Sequence, residues 1–433
     1  MLLILASCVP VSANAYSILT HEAIIDASWK KSIQPLLKKK FPKATEADLK
    51  LAHSYAYGGS LMTDIGYSPF GSTYFTNLIH YVRSGDLVEN LLSEAQNMNE
   101  YAYALGALCH YMADSYGHSF GTNLVESMVY PKIRKKYGNV VTYEENPTAH
   151  SRVEIAFDVL QLARGNYESQ SFHDFIGFNV AVRVLERAFY KTYGQDLNEI
   201  FSNVDHSVNN FRWAVNSLMP IVTRSAWVLK KIEIQKMQPG ITSRKFNYKM
   251  RRKKYYEEFG HDVDKPKFKE RVIAFVITVL PKIGPFKSLR FKEIGPDGEK
   301  QFIKSFDTVM THYTNALAQL NYGTISLPNV NFDTGKKIVI GDYKITDDTY
   351  NELVLKLQDN KFSCLTRPLK QNILSFYSHA DTAAIAKKDP SGWKKTSTAL
   401  QQIKTAPPIS IDSLKIIEAL QDKKRVANTA GTK

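Results

Sequence analysis

The chain has 433 residues, 44% of them hydrophobic and 12% aromatic, with a formal net charge of +14. That length and apolar content exclude a disulfide-stapled miniprotein and a disordered chain, and leave room for one large helical unit or several smaller domains. The basic excess favours negatively charged partners (phosphate-bearing substrates, anionic lipid surfaces or nucleic acid) without choosing among them, and much of it sits in runs such as KKSIQPLLKKK and KMRRKKYY, whose simplest role is a solvated face.

In chain order, MLLILASCVPVSANA comes first, an apolar stretch ending in Ala13-Asn14-Ala15, the small-residue pattern at which signal peptidase cuts. It predicts export, to the outside or the periplasm, of a mature chain beginning at Tyr16. The segment lacks the usual positively charged start, and LASC (Leu5 to Cys8) offers a competing lipoprotein site with Cys8 as lipid carrier; simple cleavage is the preferred reading. No other segment reaches the roughly 18–20 apolar residues of a membrane span. VIAFVITVL, Val272 to Leu280, stops at Pro281 and reads as a buried core helix or, less simply, as a contact with a membrane surface.

Helical periodicity dominates the mature chain. Residues 98 to 118 place Tyr101, Leu105, Leu108 and Met112 at three- and four-residue steps, and residues 150–164, 176–194 and 205–232 behave similarly, so the first half reads as a helical bundle. GYSPFGS and YGNVVTYEENPT mark loops. From about Gly240 a basic and then proline- and glycine-rich stretch intervenes before helical pattern resumes at about 300–320. KKIVIGDYKI, Lys336 to Ile345, is compatible with a small β-hairpin around Gly341-Asp342; further helical pattern runs to about 421, ahead of a polar tail expected to be disordered. The expected division is a signal peptide (1–15), a helical catalytic domain (16–240), a mainly helical C-terminal region (241–421) and the tail (422–433). No internal repeat is visible. Cys109 and Cys364, far apart in sequence, do not make a disulfide scaffold, and Cys109 reads as core.

HYMADSYGHSFG carries His110, Asp114 and His118 at four-residue steps. On an α-helix a step of four advances about 400°, so the three drift by only about 40° each and project from one stripe. Such a stripe serves solvent, a hydrogen-bond network or a metal. Other donors recur in local patterns: His21 in YSILTHEAII, Asp64 in GGSLMTDIGYSPFGS, His80 in TNLIHYVRSGD, and His150 with Glu154 in HSRVE, again one helical turn apart. Each is weak alone. Eight nitrogen and oxygen donors of zinc-favouring type, with no cysteine cluster, point together to a catalytic multimetal centre. His261, His312 and His379 have no partners at recognisable spacing.

These motifs, in this order over about residues 16 to 160, resemble the zinc-dependent phospholipase C superfamily, which also contains the P1/S1-type nucleases, and most closely its bacterial phospholipase C branch. The resemblance implies an all-α bundle enclosing three zinc ions. Asp64, His80, His110 and Asp114 would hold the first and His118, His150 and Glu154 the second. The α-amino group and carbonyl of Tyr16, with His21 and a bridging Asp114, would hold the third. Two departures are visible: the family usually has six residues between the bridging aspartate and the next histidine, where Asp114 to His118 is a step of four, and Tyr16 stands where better-known members begin with Trp. Cleavage before Tyr16 would then complete the site, since a free amine binds zinc and a peptide nitrogen does not.

The implied activity is hydrolysis of a phosphodiester by zinc-bound hydroxide, with Asp114 holding two metals close and Asp64 orienting or deprotonating the water. A phospholipase C would release diacylglycerol and a phosphorylated headgroup at a membrane surface. The aromatic residues of GYSPFGSTYF would line a pocket for a quaternary ammonium headgroup, or equally stack bases. A single-strand nuclease and a non-catalytic zinc-binding protein are the alternatives; the first predicts steep salt dependence and the second little bound zinc.

Overall fold

A computed structural model of the chain describes residues 18–67, 71–164, 166, 178–201, 203–243, 291–378 and 380–414. The signal segment with Cys8, Tyr16, the Lys249–Tyr256 basic run, VIAFVITVL, His261, His379 and the tail lie outside the described residues.

The first half contains helices α1 (Ile18–Ser28), α2 (Gln34–Lys40), α3 (Glu46–Leu61), α4 (Thr73–Tyr81), α5 (Ser84–Glu94), α6 (Met98–Gly117), α7 (Asn123–Val129), α8 (Pro131–Tyr137), α9 (Pro147–Arg164), α10 (Val182–Tyr193), α11 (Leu197–Ile200) and α12 (Val204–Met237). The second half adds α13 (Gly295–Leu320), α14 (Lys344–Asp359), α15 (Arg367–Tyr377), α16 (Thr382–Lys388) and α17 (Pro390–Thr405). Two π turns, Trp29–Ile33 and His118–Thr122, and a 3-10 turn, Met62–Tyr67, interrupt the helical run.

α6 is the axis of the fold. Asn97 caps it by accepting a hydrogen bond from the Glu100 amide (3.0 Å), and nearly every residue along it is buried, as expected of a helix packed on all sides. α3 lies against it at very short range. A Cβ placed on Gly59 would sit 1.9 Å from the Tyr103 carbonyl oxygen, and one on Gly106 would sit 2.0 Å from that of Ala56. Only hydrogen fits at this crossing. The close approach brings the Ser60 carbonyl to 2.9 Å from His110 Nδ1, so helix packing already fixes one ring of the site.

On another side of α6, α13 buries Phe302, Val309, Tyr313, Ala316 and Leu317, and the Tyr313 hydroxyl donates to the Leu105 carbonyl (2.9 Å). One hydrophobic cluster runs from Leu19 to Ile403, so the second half shares a core with the first. Lys38, Lys39 and Lys40 are exposed while Leu36 and Leu37 of the same run are buried, the solvated face expected of it. Among the described residues, no helix is long and apolar enough to cross a membrane.

The all-α expectation holds: no strand forms among the described residues. The hairpin suggested by KKIVIGDYKI is corrected. Lys337 makes an isolated antiparallel bridge with Val330, and Ile345 already belongs to α14. The cause lies at Gly341, whose φ of 89° makes a turn and whose amide donates to the Asp347 carboxylate in the first turn of α14. The Gly-Asp pair therefore leads into a helix rather than reversing a strand. Of the helix expected over 176–194, the described residues 178–181 are not helical and α10 begins at Val182, because Asn179 crosses α3, its amide donating to the Ser54 carbonyl and its Nδ2 to Ser54 Oγ. Cys109 is fully buried in the core, and Cys364 lies 2.9 Å from the Tyr190 hydroxyl; both are free thiols.

Candidate metal centre

α6 presents His110 and Asp114 inward, and the π turn that begins at His118 widens the helix where the third member of the stripe must follow. Such a turn commonly appears where a helix serves a site. Asp114 Oδ2 lies 3.0 Å from His110 Nε2, 3.4 Å from His80 Nε2 and 3.8 Å from His118 Nε2, while Oδ1 lies 3.5 Å from His21 Nε2. The two oxygens of one carboxylate thus face different histidines.

The remaining donors arrive from separate elements. Asp64 sits on the 3-10 turn after α3, which Thr76 of α4 ties down by donating to the Thr63 carbonyl (2.7 Å) and accepting from the Gly66 amide (2.9 Å). The same helix carries His80, whose Nε2 is 3.3 Å from Asp64 Oδ1. His21 of α1 stacks on His110 with ring centroids 4.5 Å apart. His150 and Glu154, one turn apart on α9, have Nε2 and Oε1 2.8 Å apart, and the His150 ring meets that of His118 at 4.9 Å. All eight donors expected from the sequence are buried and converge. They form three groups whose ligand atoms lie within 4.8 Å of one another: Asp64, His80 and His110; His21, His110 and Asp114; His118, His150 and Glu154. Tyr16 lies outside the described residues. Of the aromatic residues expected to line a headgroup pocket, Phe75 is instead core, between Phe189 and Phe201, and the Tyr74 hydroxyl accepts from Gln195.

The carboxylate oxygens of Asp64, Asp114 and Glu154 and the Nε2 atoms of His118 and His150 are buried and make no hydrogen bond. Atoms of this kind are costly to bury unless something else satisfies them. Zinc bonds of 2.0–2.1 Å in a tetrahedron would put ligand atoms about 3.3 Å apart, close to the 3.3 and 3.4 Å separations of His80 from Asp64, Asp114 and His110. The residues fit zinc.

The electrostatics agree. Burial and the neighbouring histidines push His21 and His150 down to about 3. Burial opposes a charge on His80 as well, yet Asp114 and Asp64 raise it to about 10. Burial and the nearby carboxylates hold Glu154 well above the usual carboxylate range, whereas His110 and His118 hold Asp114 well below it in spite of burial. Adjacent groups pulled in opposite directions within one pocket are relieved together by cations in their midst.

Sequence reasoning missed two residues. Glu126 of α7 accepts from His150 Nδ1 (2.9 Å), and Asp333 accepts from His118 Nδ1 (2.9 Å). Glu126 stands two four-residue steps past His118, a spacing that could have found it; Asp333 lies in a turn-like NFDTG stretch 215 residues from its partner. His312, away from the donor cluster, stacks on Tyr116 at 3.8 Å.

Comparison with known families matches residues 20–203 to the family model described as zinc dependent phospholipase C. Comparison with curated proteins and with solved structures gives no match. The matched stretch contains His21, Asp64, His80, His110, Asp114, His118, His150 and Glu154, and carries them on an all-helical frame. Residues 20–203, somewhat under half of the chain, thus carry a domain that matches the zinc-dependent phospholipase C family, which implies a zinc-dependent enzyme of the phospholipase C type.

Proposed function

We propose that the protein hydrolyses phospholipid to diacylglycerol and a phosphorylated headgroup at a site holding three zinc ions. The observation that carries this reading is the convergence, inside the matched domain, of buried donors at zinc-like separations. Asp64, His80, His110 and Asp114 would hold one ion and His118, His150 and Glu154 another. His21 and Asp114 would hold the third together with the amine and carbonyl of Tyr16, freed by cleavage after Ala15 on export from the cell. The catalytic domain is then residues 16–240, and the described residues from 291 to 403 share its core.

Zinc in such a site lowers the pKa of water and neutralises phosphoryl oxygens. The protein supplies position and dryness. Asp114 spans the histidines of α1, α4 and α6 with its two oxygens, so one carboxylate sets the spacing of the cluster. Asp64, buried and without a hydrogen bond, would accept the proton of the attacking water as the bond from phosphorus to the glycerol oxygen breaks, and that departing oxygen would take up a proton, from Asp64 or from water, to leave as diacylglycerol. No serine or cysteine nucleophile is needed; Cys109 is buried and its thiol pushed far up by burial.

The test is diacylglycerol release from phosphatidylcholine vesicles by mature, zinc-loaded protein, with and without a chelator. Release that the chelator abolishes is expected. No release from protein shown to carry its zinc would overturn the choline-lipid reading, and single-stranded nucleic acid and other phosphodiesters would be the next substrates.

A further inference from the structure

We propose that Asp333, carried by the segment Pro328–Tyr343 beyond the matched domain, is the positioning residue for His118, so that the C-terminal half of the chain completes the metal centre. The inference rests on the zinc reading above.

Asp333 is 1% exposed, and every polar atom it offers is used. Its Oδ1 accepts from His118 Nδ1 (2.9 Å), and its Oδ2 accepts from the Tyr343 hydroxyl and the Tyr143 amide (both 2.9 Å). Its amide donates to Asn331 Oδ1 (2.9 Å), and its carbonyl accepts from Asn123 Nδ2 (2.8 Å). A carboxylate accepting at Nδ1 fixes the tautomer with the proton there, which leaves the Nε2 lone pair free. Nε2 is the atom that faces Asp114, at 3.8 Å, and it is buried without a hydrogen bond. Asp333 therefore stands behind the ring, on the side away from the donor cluster, and acts through His118.

The segment is fastened to the helices of the site. Ser84 Oγ and the Val330 backbone exchange two hydrogen bonds (2.7 and 3.0 Å), the Tyr111 hydroxyl donates to the Pro328 carbonyl (2.8 Å), and the Phe332 amide donates to the His80 carbonyl (3.1 Å). The Phe332 ring packs on His80 at 5.1 Å and on Tyr111 at 5.4 Å, and closes that face of the cluster with an apolar wall. Gly335, with φ 65°, passes so close to α6 that a Cβ there would lie 2.4 Å from the Ser115 carbonyl oxygen.

His118 needs such a support more than its neighbours do. It stands on a π turn at the end of α6, where the neighbouring backbone geometry is irregular. His80 and His110 are braced by carbonyls of their own helical surroundings, Thr76 and Ser60. His118 takes its brace from a residue 215 positions away. Metal-binding imidazoles oriented by a carboxylate in this way lose about 10–100-fold in metal affinity when it is removed.

The test compares the full mature chain with Asp333→Asn, which keeps shape and removes charge. Bound zinc per chain is counted, and zinc loss is titrated with a competing chelator. The variant is expected to give up one zinc at about 10–100-fold lower chelator concentration, the others being unchanged. Melting of both chelated proteins separates positioning from mere folding: equal melting temperatures are expected, and a variant destabilised as much without zinc as with it would overturn the role. Zinc retained equally by both proteins would overturn this inference alone; a wild-type chain that binds no zinc would overturn the zinc reading and this inference with it. A measurement on the wild-type chain needs no variant. Chelation is expected to speed amide hydrogen exchange at Phe332, Asp333 and Gly335 together with His118, and unchanged exchange in that segment would refute the coupling.

Discussion

His80 and His110 direct Nδ1 to backbone carbonyls, of Thr76 and Ser60, whereas His118 and His150 direct theirs to carboxylates, Asp333 and Glu126. The first pair is oriented by helix geometry: His80 by the carbonyl one turn behind it on α4, His110 by the close crossing of α3 and α6. The second pair is oriented by side chains that arrive from α7 and from the segment before α14. A carbonyl is neutral and its place is set by the helix; Asp333, held low by His118 in spite of burial, adds charge and makes that imidazole a stronger donor, whereas burial pushes Glu126 up to about 10. One side of the cluster is therefore a product of packing and the other of side chains brought from a distance. The two should fail differently.

The largest effect is expected at the residue common to both sides. Asp114→Asn weakens the carboxylate that faces His21, His80, His110 and His118, and should lower phosphodiesterase activity by about 10³-fold, the several kcal/mol that metal stabilisation of a transition state supplies. Bound zinc, counted by elemental analysis, should fall with it. A variant that keeps both would show that the two sides are independent. Glu126→Gln addresses the side-chain-braced side alone: it should weaken retention of one zinc by about 10–100-fold in a chelator titration and leave the others in place. Simultaneous loss of all would erase the distinction between the sides. Gly106→Ala addresses the packed side. Its Cβ would collide with the Ala56 carbonyl and push α3 from α6, at about 1–3 kcal/mol by chemical denaturation. Zinc held by His110 should be released before zinc held by His150, and the reverse order would contradict the assignment of roles.

Much of the site was legible because its donors obey local rules. His110, Asp114 and His118 on α6, and His150 and Glu154 on α9, stand at steps that one helix turns to a single face. Asp64 and His80 were legible from the motifs around them. Glu126 continues the four-residue step two turns past His118, but only the structure shows that it braces His150; Asp333 was not legible at all, because a carboxylate that braces an imidazole needs only to arrive within hydrogen-bond reach, and no periodicity places it. The hairpin failed for a related reason: KKIVIGDYKI has alternation enough for two strands, but the Gly341 amide finds its acceptor in Asp347, and no neighbouring strand among the described residues competes for it.

The sequence by itself determined the helical class and pointed to five donors on two helix faces, because a helix repeats every 3.6 residues and shows its faces in one dimension, while His21, Asp64 and His80 came from motif resemblance. Tertiary structure alone decided that these donors meet, that glycines at one helix crossing set the depth of His110, and that a turn from the second half of the chain braces His118. Those outcomes depend on distances between segments far apart in sequence, which only the packed core brings to a few ångström.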